Sequence, residues 1–89
     1  MTDTLEHRRR RALYRAQHRG TKEMDWLLGR YADAQLAGMD MATLDHFERF
    51  IALPDPDLQR WIMEGAEVDA APQFLELVTR LRTYHGLTA

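Results

Sequence analysis

Residues that stop helices recur along this chain at intervals suited to short helices and little else. Gly20, Gly38, Pro54, Gly65 and Gly86 cut it into five segments. Within each segment apolar residues return with a helical period rather than the two-residue period of a strand. The clearest stripe is Met24, Leu27, Leu28 and Tyr31, at i, i+3, i+4 and i+7. No alternating run of β-branched residues interrupts the pattern, so strands are not expected. The predicted class is all-α, a compact five-helix bundle forming a single small domain over residues 1–89.

Local signals place the helices. The first is expected to start at Asp3, with Glu6 three residues on as its capping-box partner. It runs to about His18, with Leu5, Ala12, Leu13 and Ala16 on the apolar side and Gly20 as a left-handed stop. Thr21 caps the second, which Gly38 ends. Asp40 caps the third, turning Leu44, Phe47, Phe50 and Ile51 inward, and Pro54 terminates it. Asp55 followed by Pro56 reads as a cap and a proline in the first turn. That fourth helix carries Leu58, Trp61 and Ile62 and stops at Gly65. The fifth spans about Ala70 to Tyr84, with Phe74, Leu75, Val78 and Leu81 on one face. Pro72 is tolerable only in its first turn, and Gly86 follows it. All five glycines, Gly29 included, read as helix stops.

Size and composition then limit function. A folded chain of 89 residues buries about 64% of its unfolded surface, enough for one modest core that a cofactor cavity would largely consume. There is no cysteine, which excludes disulfides, thiolate metal sites and a cysteine nucleophile. No apolar run is long enough to span a membrane. The N-terminus is polar, with no apolar signal core, and a cytoplasmic location is expected. There is also no serine, and no glycine-rich phosphate loop. The four histidines, at 7, 18, 46 and 85, never pair at i+4, so no helical metal pair is available. The chain therefore reads as a non-enzyme without a metal site.

The net charge of −2 hides an asymmetry. Residues 1–30 carry eight basic and four acidic groups, a net of +4. Residues 31–89 carry four and ten, a net of −6. Eleven of the twelve cations are Arg, which favours fixed planar contacts over a hydrated point charge. Such a split suits either an acidic partner or pairing between the two parts of the chain. Arg8-Arg9-Arg10-Arg11 is the most conspicuous local run, but on a helix four consecutive residues spread over about 300°. The run is expected to be a solvated helix whose Arg stems cover apolar surface. A protein partner is the second reading. A nucleic-acid partner is the third, because a coherent basic face with stacking aromatics is missing. Trp61 shares a face with Leu58 and Ile62 and is assigned to the core. Trp26 lies off the Met24–Tyr31 stripe and is a candidate exposed anchor.

Arg19-Gly20-Thr21-Lys22-Glu23 is quieter but more specific. Locally, Gly20 ends one helix, Thr21 caps the next, and Glu23 sits in the positive first turn. Functionally, a helix–helix corner presents Arg19, Glu23 and Asp25 at the surface, with a glycine that lets another backbone approach.

Arg19-Gly20-Thr21-Lys22-Glu23-Met24-Asp25 resembles the Arg-Gly-x-x-Glu signature, usually followed by an acidic residue, of the succinate dehydrogenase assembly factors. Asp55-Pro56-Asp57-Leu58 and Trp61-Ile62 resemble that family's second recognisable segment. The resemblance covers nearly the whole chain and looks like a bacterial member. It implies an accessory protein that binds the flavoprotein subunit of succinate dehydrogenase, and in some bacteria of fumarate reductase. Such a factor promotes covalent attachment of FAD, which belongs to the client and is not held stably by the factor. Carried over residue by residue, it implies a partner-binding surface of Arg19, Gly20 and Glu23, with Asp25 a weaker addition. The basic third is then the docking side. A free domain of this kind is most simply a monomer. The alternatives are a small Arg-rich helical nucleic-acid binder and a generic protein adaptor.

Overall fold

The structure, a computed structural model, describes residues 4–69 and 71–87. Five α-helices follow in order: α1 (Leu5–Gln17), α2 (Lys22–Gln35), α3 (Met41–Ile51), α4 (Asp55–Ile62) and α5 (Leu75–Tyr84). Short 3-10 turns occupy Leu36–Gly38 and Pro72–Phe74. No strand occurs among the described residues, so the class is all-α. Contacts group the chain into two compact units, Met1–Ala52 and Leu53–Ala89.

In the first unit α1 packs chiefly on α2 and also meets α3 and the Leu36–Gly38 turn. The expected stripe of Met24, Leu27, Leu28 and Tyr31 is buried, as are Leu44, Phe47, Phe50 and Ile51. On α1 only Ala12 and Ala16 are fully buried, while Leu5 and Leu13 are half-buried. The small residues let α1 lie close to its neighbour. Gly29 completes that contact. It is buried in the middle of α2, so it is not a helix stop. A Cβ there would lie 3.0 Å from Gln17 Cγ and 3.3 Å from Gln17 Cα.

The caps follow local chemistry. Asp3 lies outside the described residues. The cap of α1 is Thr4, whose hydroxyl accepts from the His7 amide at 3.1 Å. Glu6 lies in the first turn, 3.8 Å from Arg10. Thr21 and Asp40 cap α2 and α3 as expected, accepting from the amides of Met24 (3.2 Å) and Thr43 (2.8 Å). The bond from the Thr43 amide holds the Asp40 carboxyl below its ordinary pKa, because it stabilises the charged form. The left-handed conformation is found at Gly65 and Gly86, both at φ 69°, and not at Gly20. There the chain turns because the His18 imidazole folds back to within 2.8 Å of the Tyr14 carbonyl and Asp25 takes the Arg19 amide.

In the second unit α4 begins one residue earlier than the sequence suggests. Pro54 is the cap, Asp55 opens the helix and Pro56 stands second; an extended Pro54 (ψ 140°) leaves both following residues free to turn. Leu58, Trp61 and Ile62 are buried. Ala70 lies outside the described residues, and α5 starts at Leu75 after the 3-10 turn. The buried face of this region is Phe74, Leu77, Val78 and Leu81. Leu75, assigned inward from sequence, is 55% exposed, because Leu77 and not Leu75 satisfies the i, i+3, i+4, i+7 spacing from Phe74.

Arg82 ties this unit together. Its guanidinium donates to the Ile62 carbonyl at the end of α4 and to the Leu87 carbonyl, each at 2.6 Å. It also lies 3.3 Å from where a Gly65 Cβ would stand. Carbonyls at a helix C-terminus lack partners within the helix and carry its negative end. Arg82→Ala is expected to destabilise by about 2 kcal/mol, from two charge-assisted bonds that are partly solvated. A thermal melt should fall by roughly 10 °C; a melt unchanged from wild type would remove Arg82 from the ledger of stabilising contacts.

Candidate functional site

Arg8 and Arg9 are half-buried rather than solvated. Arg8 pairs with Glu48 and lies 3.7 Å from Asp45, while Arg11 stands 4.0 Å from Glu48. Arg9 donates to the Met39 carbonyl at 2.6 Å. Asp45 and Glu48, one turn apart on α3, face α1 and account for this. Of the two sequence readings of the charge split, pairing between the basic and acidic parts is therefore present in the first unit. Arg8, Arg9 and Arg11 are turned to protein groups and do not form one basic face toward solvent.

The Arg19–Asp25 corner lies between α1 and α2. Gly20 and Glu23 are exposed; Arg19 and Asp25 are half-buried. The Arg19 amide donates to the Asp25 carboxylate, and the Arg19 guanidinium donates to the Ile51 carbonyl at the end of α3. The four residues singled out from sequence are thus brought together, but they do not all face outward. Arg19 and Asp25 close the corner from behind. The side chain of Glu23, the second helical residue of α2, takes no hydrogen bond or ion pair among the described residues.

Beside the corner, on the same helix, is an open hollow of about 370 Å³. It is lined by Gln17 of α1 and by Lys22, Asp25, Trp26, Gly29, Arg30 and Asp33 of α2. Trp26 is 47% exposed, as an anchor would be, and the Arg30 guanidinium carbon sits 5.6 Å from its ring centroid. The sequence reading missed Lys22, Gly29, Arg30 and Asp33. The signal was a second helical stripe through positions 22, 25–26, 29–30 and 33, overlooked because it is polar. Trp61 is buried, as assigned.

Among the described residues no three His, Cys, Asp or Glu side chains are placed to hold a metal ion. No helix among them is long and apolar enough to cross a membrane.

Comparison with known proteins places this corner in context. Residues 10–85 match the family model described as "Flavinator of succinate dehydrogenase". The chain belongs to this family. The flavinator family is one of assembly factors, not of catalysts. A bacterial relative, the "FAD assembly factor SdhE" of Acetobacter pasteurianus, is 36% identical over 87 residues, covering 94% of this chain and 80% of its own. The mitochondrial "Succinate dehydrogenase assembly factor 2" of Scheffersomyces stipitis is 34% identical over 70 residues, covering 79% and 47%. That of Dictyostelium discoideum is 32% identical over 81 residues, covering 91% and 56%. The chain thus spans about half the length of these two mitochondrial relatives. No solved structure matches it. The family match includes Arg19, Gly20, Glu23 and Asp25 as well as the Asp55–Ile62 segment.

Proposed function

We propose that this chain binds the flavoprotein subunit of succinate dehydrogenase in the cytoplasm and promotes covalent attachment of FAD to it. Flavoprotein subunits of fumarate reductase are a second client class. The observation that carries this reading is the Arg19–Asp25 corner, which holds Gly20 and Glu23 exposed on a frame braced from behind. Family membership supplies the reaction context. A rigid corner with an unshielded carboxylate, and a glycine without a side chain beside it, suits close contact with a second polypeptide. FAD and the residue that accepts it belong to the client. The factor contributes by favouring a client conformation in which the two are aligned, a positioning effect that needs no nucleophile of its own. Electrostatic complementarity around the corner would act on encounter and register more than on affinity.

The test is co-expression with a flavoprotein subunit in cells lacking their own factor, with covalent flavin read by in-gel fluorescence. Flavin fluorescence should rise severalfold when the chain is present. Equal fluorescence with and without it would defeat the proposal. The engagement of Arg8, Arg9 and Arg11 with Glu48 and Met39 disfavours the nucleic-acid alternative, whose mark would be binding that weakens steeply with salt.

A further inference from the structure

We infer that Arg19 and Asp25 act as positioning residues, and that of the four corner residues only Gly20 and Glu23 meet the partner. This rests on the reading under Proposed function and divides the labour within it. Arg19 binds on both sides of the corner. Its amide donates to the Asp25 carboxylate and its guanidinium to the Ile51 carbonyl. The first bond closes the chain reversal across six residues. The second spans 32 residues and joins the corner to the C-terminus of α3. Ile51 is the last residue of that helix, where carbonyls lack partners within the helix and attract a cation. Both side chains are half-buried, whereas Gly20 and Glu23 are exposed. The Thr21 cap on the Met24 amide, 3.2 Å, is a further stitch. Together the three bonds fix where the first turn of α2 points, and that turn carries Glu23. Arg19 and Asp25 therefore set the direction in which the Glu23 carboxylate is offered.

The test pairs disruptive with conservative variants and reads two quantities from each. One is hydrogen exchange at the Arg19 and Met24 amides in the free chain. The other is covalent flavin on a co-expressed flavoprotein subunit. Arg19→Ala and Asp25→Ala should speed exchange at the corner roughly tenfold, the equivalent of losing one charge-assisted bond to local opening, and lower covalent flavin severalfold. Arg19→Lys keeps a donor for the Ile51 carbonyl, and Asp25→Asn keeps an acceptor for the Arg19 amide. Both should stay within about threefold of wild type in exchange and retain flavin attachment. The inference is overturned if the conservative variants keep slow exchange but lose flavin as completely as the alanine variants, because the side chains themselves would then touch the partner. It is equally overturned if the alanine variants exchange at the wild-type rate. A wild-type chain that yields no covalent flavin would sink the proposed function instead, and the exchange rates would still decide the clamp.

Discussion

Gly29→Leu is expected to lower the thermal midpoint of this protein by roughly 12–24 °C, from on the order of 3 kcal/mol of destabilisation. Gly29 is buried mid-helix, and even a Cβ at that position would come within 3.3 Å of the Gln17 backbone. With its Cβ already pressed against Gln17, an isobutyl group must either push α1 off α2 or be forced out into the adjoining hollow beside Trp26. A chain of this length has about 4–13 kcal/mol of total stability, so the loss is a large share of it. Gly29→Ala is the informative control. Alanine gains about 1 kcal/mol of helix propensity over glycine. Its Cβ would be nearest Gln17 Cγ, at 3.0 Å, part of a flexible side chain that can shift. The two effects oppose each other, and the midpoint should move by only a few degrees. Circular dichroism melts of both variants decide the matter. A Gly29→Leu protein that melts with wild type would mean that α1 and α2 are not held in close register.

Glu23→Ala is expected to behave in the opposite way, abolishing flavin attachment while leaving the fold intact. Glu23 is exposed in the first turn of α2. Its favourable position in the positive field of the helix N-terminus accounts for less than about 1 kcal/mol. The helical spectrum should be unchanged and the melt lowered by only a few degrees. Covalent flavin on the client should fall to the level seen without the factor. A large drop in stability with flavin attachment retained at low temperature would assign Glu23 to helix capping alone. Gly20 discriminates less well, because replacing a glycine also changes the entropy of the unfolded chain.

These two positions mark the boundary of what could be read from the amino acids. Glu23 stood out because the motif around it is local and specific. Gly29 did not, because an isolated glycine within a helical stripe looks like punctuation until its neighbour is known. The caps at Thr21 and Asp40, the stripe from Met24 to Tyr31 and the inward set of α3 were all legible. Each depends on residues within about four positions of one another. The start of α4 was misplaced by one residue at Pro54, and Leu75 was taken for Leu77, since a short 3-10 turn ahead of α5 leaves the phase of its apolar face ambiguous.

The corner shows the same division. That Arg19, Gly20, Glu23 and Asp25 share one turn between two helices follows from sequence alone, as do the all-α class and the family resemblance. Which of them face outward does not. Arg19 finds its acceptor 32 residues away at Ile51, and Arg8 finds Glu48 40 residues away. A guanidinium reads as solvent-exposed in any local window, because its partner is set by how helices pack and not by its neighbours in the chain. Sequence determined the helical class, the caps and buried faces of α2 and α3, and which residues lie at the corner. Only the tertiary structure, by bringing the end of α3 against that corner, decided which of those residues brace it and which stay exposed.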